Sequence, residues 1–212
     1  KQTRGDPSSI LGQRIFMINK KFRIISKELF PKIKYKNIQN PPFIIAFFGV
    51  PGSGKTYISK LLEERYKAIR INSDEIVKII MEKKLAKNPR DGAKIKGYFI
   101  YSLIENMPFK NKRIILDKSI DREYSKLLKI CKSNNFPYFF IRLKVKKRNA
   151  IKRLNERGIK DKKLVKWMNK WNKEWELAEK KTKSHITLDG NKPDLKKLYS
   201  VLKRQLFFSR FL

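Results

Sequence analysis

The tightest constraint on this chain is an eight-residue stretch, Gly49-Val50-Pro51-Gly52-Ser53-Gly54-Lys55-Thr56, which satisfies G-x-x-x-x-G-K-[ST] at every fixed position. Just before it runs Phe43-Ile44-Ile45-Ala46-Phe47-Phe48, apolar without alternation and bounded by Pro42 and Gly49. Such a run suits a strand buried on both faces of a parallel sheet. A helical pattern follows from Thr56 to about Tyr66. Between a strand and a helix, small residues let backbone N–H groups curl around phosphates, and the helix N-terminus adds its partial positive charge. Gly49, Gly52, Ser53, Gly54, Lys55 and Thr56 are therefore the expected phosphate-binding residues. Lys55 is expected to bridge the β- and γ-phosphates of ATP, with a catalytic part in their transfer, and the Thr56 hydroxyl to reach Mg²⁺.

The rest of the chain reads as strands alternating with helices. Strands are expected at 68–71, 113–116, 137–143 and 185–188, and helices at 73–87, 92–107, 121–132, 146–157, 161–181 and 194–205. That alternation implies an α/β domain with a parallel sheet. The first forty residues stand apart as a basic amphipathic extension, with residues 41–212 forming the domain that carries the motif. Leu11, Ile15, Ile18, Phe22, Ile25 and Leu29 line one helix face at spacings of three and four. Packing on the chain's own domain is the preferred reading of that face, and contact with a membrane surface the alternative.

Composition excludes several chemistries. One cysteine, Cys131, and one histidine, His185, leave no disulfide framework, no Cys/His zinc site and no Cys–His nucleophilic pair. His185 reads as structural. No apolar run approaches the roughly 20 residues of a membrane span, and the expected setting is cytoplasmic. The formal net charge is +34. Part of it reflects the Lys-, Ile-, Asn- and Phe-rich bias of an A·T-rich coding sequence. Clustering is mild: residues 144–183 hold 16 basic and 5 acidic groups, a net +11. Charge alone leaves affinity for polyanions open.

A phosphate-binding loop gives nucleotide binding without naming the reaction. Asp74 falls at the carboxyl end of the second strand, the edge where open α/β sheets bind ligands. A carboxylate there can accept the proton of an attacking hydroxyl, and the alternative is that Asp74 or Ser73 merely caps the next helix. Arg153 and Arg157 share a helix face at i, i+4. Arginine suits a transferring phosphoryl group because it is planar, forked and always charged; the alternative is a solvated basic helix.

Taken together, Gly49–Thr56, the Ile71-Asn72-Ser73-Asp74 segment, a third strand ending in Asp117 and the Arg153–Gly158 segment resemble the P-loop kinases of the polynucleotide 5′-hydroxyl kinase and zeta-toxin-like group. The resemblance covers about residues 43–205. It implies a three-layer P-loop NTPase fold with a five-stranded parallel sheet of nucleoside-monophosphate-kinase type, in strand order 2-3-1-4-5. It also implies Asp74 as general base, Arg153 and Arg157 as phosphate grips on a lid around 146–160, and Asp117 as a Walker-B-like acid by the metal or the acceptor. The expected reaction is transfer of the ATP γ-phosphoryl group to a hydroxyl, with single-stranded nucleic-acid ends as acceptor. A small-molecule acceptor on the same scaffold, or a non-catalytic ATP switch, are the alternatives.

The match departs from the group at two points. Val77 stands where those kinases place an acceptor-gripping Arg, and Asp117-Lys118-Ser119 stands where they favour Asp-Thr-Asn. Trp167, Trp171 and Trp175 recur every four residues on a basic helix. A buried stripe is the preferred reading, and base stacking the alternative. Leu188-Asp189-Gly190, with Pro193, follows the last strand, where related kinases hold the nucleotide base; a simple turn is the alternative.

Overall fold

A computed structural model describes residues 19–33, 42–105, 112–159 and 164–208. Its sheet has five parallel strands: β1 (Phe43–Phe48), β2 (Ile69–Asn72), β3 (Arg113–Ser119), β4 (Tyr138–Lys144) and β5 (Ile186–Asp189). Their order is β2-β3-β1-β4-β5, as the resemblance implies. The helices are α1 (residues 19–29), α2 (Lys55–Tyr66), α3 (Ser73–Glu82), α4 (Pro89–Glu105), α5 (Tyr124–Ser133), α6 (Lys147–Glu156), α7 (Leu164–Lys181) and α8 (Leu195–Lys203).

Side-chain alternation sorts the helices into two layers. Ile44, Ala46 and Phe48 of β1 join Ile71, Leu116 and Phe140 in a cluster with α1, α3, α4 and α5. Phe43, Ile45 and Phe47 face the other way, joining Ile115, Ile141 and Leu188 in a cluster with α2 and α8. All six residues of β1 are buried, because the central strand of a parallel sheet is covered on both sides. Ile25 and Leu29 of α1 belong to the first cluster, so the described part of the N-terminal face packs on its own domain. Lys32–Glu75 and Lys83–Glu28 ion pairs fasten this segment to α3 and the turn after it. Leu11, Ile15 and Ile18 lie outside the described residues. Among the described residues no helix is long and apolar enough to cross a membrane.

Two local departures from the sequence reading shape the site. β3 runs through Asp117 to Ser119 instead of stopping at Leu116. Its register with β1 slips there: Ala46 pairs with Leu116 and Phe47 with Ser119, leaving Asp117 and Lys118 as a bulge. The two extra residues keep the alternation of β3 in step, with Asp117 on the α2 side like Ile115 and Lys118 on the α4–α5 side like Leu116. α5 begins at Tyr124, because Asp121, Arg122 and Glu123 form a turn that closes the strand.

Candidate active site

The loop between β1 and α2 sits at the carboxyl edge of the sheet, and three neighbouring segments hold its shape. Gly52 has φ +78°, and a Cβ there would stand 2.7 Å from the Ala150 carbonyl oxygen of α6. Gly190, just past β5, approaches still closer: a Cβ on it would come within 2.3 Å of the Ser53 carbonyl oxygen. Only glycine permits both backbone approaches. Arg153 spans the same junction, donating through one terminal nitrogen to the carbonyls of Gly52 at 3.1 Å and Gly190 at 3.0 Å. Its other terminal nitrogen donates to Asn191 Oδ1 at 3.3 Å. The predicted lid arginine is thus seated on the loop. Arg157, one turn on, is exposed at the C-terminal end of α6.

Lys55 folds back over the loop, donating to the Gly49 and Val50 carbonyls at 2.8 Å each and to Ser53 Oγ at 3.3 Å. Burial pushes its ammonium down to about 8, partly countered by Asp121, then Asp117, then Asp74, while Arg157 adds to the lowering. Lys55, Asp74, Asp117 and Arg157 are therefore electrostatic neighbours. Thr56 Oγ1 donates to Asp117 Oδ1 at 3.1 Å. The other Asp117 oxygen accepts from Arg70 at 2.7 Å, and Arg70 also donates to Glu63 at 2.8 Å.

Asp74 stands on the first turn of α3, exposed. The cap of that helix is neither Asp74 nor Ser73. Asn72 Oδ1 accepts from the backbone N–H of Asp74 at 2.8 Å and of Glu75 at 3.3 Å. That leaves the Asp74 carboxylate free of the capping role, and it accepts a bond from the Ser73 hydroxyl at 3.3 Å.

A magnesium ion takes mainly oxygen ligands and is usually held by one or two protein groups plus substrate phosphates. Thr56 Oγ1 beside Asp117 Oδ1 fits that donor set. Among the described residues no cluster of three or more His, Cys, Asp and Glu forms a dedicated metal cage.

No protein-family model matches the chain. An adenylate kinase of Mesomycoplasma hyopneumoniae strain 232 is 30% identical over 166 residues, covering 71% of each chain. The chain belongs to the family of P-loop kinases that includes it. It is a phosphotransferase. Solved structures agree on the fold. A chain of the PezAT toxin–antitoxin system of Streptococcus pneumoniae superposes with a TM-score of 0.59 at 14% identity, covering 89% of this chain and 87% of that one. Shikimate kinase of Aquifex aeolicus gives 0.51 at 17%, covering 76% and 94%.

Sequence reasoning missed three residues of this P-loop kinase. Asp121 accepts the Gly49 N–H at 3.1 Å and a bond from the Ser119 hydroxyl, so it braces the loop's entrance from 72 residues away. Arg70 neutralises one oxygen of Asp117, and Asn191 receives Arg153. None belongs to a spacing rule, because each acts across strands that only the fold brings together. The Asp189–Gly190 turn, noted in the sequence, lies against the loop: Gly190 N–H donates to Lys144 at 2.7 Å, and Asp189 Oδ1 accepts from Asn191 N–H at 2.8 Å. Trp171 and Trp175 pack partly buried against Val50, Leu154 and Met168, which is the buried-stripe reading. The Trp167 side chain lies outside the described residues. His185 is structural: its Nδ1 accepts the Phe140 N–H at 2.9 Å, and burial lowers its pKa.

Proposed function

We propose that this kinase transfers the γ-phosphoryl group of ATP to a hydroxyl, and that the hydroxyl is the 5′ end of a polynucleotide. One observation carries the hydroxyl. Asp74 is an exposed carboxylate at the carboxyl end of β2, relieved of capping by Asn72 and within electrostatic reach of Lys55. An acceptor that is already an anion has no proton to give up, whereas a hydroxyl attacks well only as its proton departs. Asp74 takes that proton as the acceptor oxygen bonds to the γ-phosphorus. The bond from phosphorus to the β–γ bridging oxygen breaks, and ADP leaves.

The other residues divide the work. Lys55 neutralises the β- and γ-phosphates, and backbone N–H groups of 49–56 hold them. Thr56 and Asp117 would hold Mg²⁺, which would supply charge neutralisation to the phosphates when bound. Arg157, within electrostatic reach of Lys55, acts on charge developing at the transferring group. Arg153, committed to Gly52 and Gly190, keeps the loop in shape.

The net charge of +34, with +11 across residues 144–183, supports a polyanionic acceptor. The second reading is a nucleotide or other small acceptor, favoured by the adenylate kinase relative. One assay decides: labelled ATP with Mg²⁺ against a 5′-hydroxyl oligonucleotide, a nucleoside, AMP and an amino-sugar panel. Preferential labelling of the oligonucleotide supports the proposal. Preferential labelling of AMP, with Asp74→Asn fully active, refutes the hydroxyl mechanism.

A further inference from the structure

Strand alternation puts Lys118 opposite Asp117, on the side of the sheet covered by α4 and α5. There Lys118, buried, pairs with Glu123, and the Tyr101 hydroxyl donates to the same carboxylate oxygen. Lys126 lies 4.3 Å from the Tyr101 ring centre and 5.8 Å from that of Tyr98. Lys96 faces the same group, acting electrostatically on both Lys118 and Glu123. Tyr98 itself is 61% exposed, unusual for a large ring on a helix whose other face is core. Lys94 precedes it by one turn on the same face and is exposed.

This surface therefore combines an open aromatic ring with Lys94 and Lys126 beside it, and its nearby carboxylate is already bonded to Lys118 and Tyr101. The 121–123 turn links it to the loop, because Asp121 accepts the Gly49 N–H while Glu123 takes Lys118 and Tyr101. On α3, Lys78 is paired with Glu82 and so is less available to an incoming anion. Exposed aromatics among cations take single-stranded nucleic acid, because every base has a π-face and every nucleotide a phosphate.

We propose that the α4–α5 surface seats the acceptor strand, with Tyr98 stacking on a base and Lys94 and Lys126 taking phosphates. This rests on the polynucleotide reading above. The test is fluorescence anisotropy with a labelled 5′-hydroxyl single-stranded oligonucleotide, in the absence of ATP. Tyr98→Ala is expected to weaken binding about 5- to 150-fold, the range for losing one stacked base. Tyr98→Phe should retain it, and both variants should melt like the parent.

Lys94→Gln with Lys126→Gln should shallow the plot of log affinity against log salt by about 1.4, at roughly 0.7 per single-strand phosphate contact. Unchanged affinity and slope in these variants overturn the platform. If the parent phosphorylates the oligonucleotide and the variants keep its KM, the platform fails while the polynucleotide reading stands. If the parent neither binds nor phosphorylates oligonucleotides yet labels a small hydroxyl acceptor, both fail together.

Discussion

Lys55 has an unusual consequence for binding: nucleotide should arrive with a proton. In the free protein its ammonium is buried against the Gly49 and Val50 carbonyls, and its pKa is pushed down to about 8 from an ordinary 10.5. Triphosphate at the loop would place negative charge beside the ammonium and return it to its ordinary range or above. With a free value of about 8, uptake on binding is about 0.1 proton at pH 7, about 0.5 at pH 8 and about 0.9 at pH 9. Phosphate esters have their second pKa at about 6, so the window from 8 to 9 belongs to the lysine.

The sign follows from linkage. The free form loses its proton as pH rises through about 8 while the bound form keeps it, so affinity falls by up to about tenfold per unit above that point. Calorimetric titration of ATP in buffers of different ionisation enthalpy counts the protons directly. Lys55→Met should abolish the uptake as well as productive phosphoryl transfer. Negligible uptake by the parent at pH 8.5, or equal uptake by Lys55→Met, would refute the placement of the phosphates on Lys55.

Asp74→Asn is expected to keep near-normal ATP affinity and lose roughly 10²–10⁴-fold in turnover, the usual range for a general base, measured by single-turnover transfer. Arg157→Ala should depress turnover more than ATP affinity. Arg153→Ala should instead lower the melting temperature and ATP affinity together, because it unpins Gly52 from Gly190; identical profiles for the two variants would erase the distinction. Ile25→Ala should cost about 2–5 kcal/mol in chemical denaturation, since the side chain is fully buried in the sheet's main cluster.

The layers of this fold were legible because they rest on local patterns. A six-residue apolar run has to be an interior strand, and a glycine-rich turn ending in Lys-Thr has to open a helix. The strand order came from resemblance, since no local pattern states which strands are neighbours. The site was legible where one segment carries it, as in 49–56, and illegible where it is assembled from several. Asp121 looked like a helix start because its acidic side chain precedes an apolar helical pattern; its partner, Gly49 N–H, is visible only once β3 lies beside β1. Asn72 took the cap expected of Ser73 or Asp74 because β2 runs one residue further than its apolar pattern.

The end of β3 shows how one short segment can serve both faces of a sheet. A nucleotide needs a carboxylate near the loop, on the α2 side, and Asp117 is there, bonded to Thr56 and Arg70. Alternation along β3 continues through the slip, with Leu116, Lys118 and Ile120 on one face and Ile115 and Asp117 on the other. The slip between Ala46–Leu116 and Phe47–Ser119 frees two consecutive residues from pairing with β1. Asp117 then works with the nucleotide loop, and Lys118 with Glu123 and Tyr101 across the sheet. The chain then returns to the ladder, where Ile120 N–H donates to Phe47 at 2.9 Å, and Asp121 reaches back to Gly49. Five residues, 117 to 121, thereby touch Thr56, the α4–α5 side and the first amide of the loop. Asp117→Asn should therefore lower ATP affinity in calorimetry, and Lys118→Gln should lower the melting temperature through the α4–α5 side while leaving that affinity near the parent's.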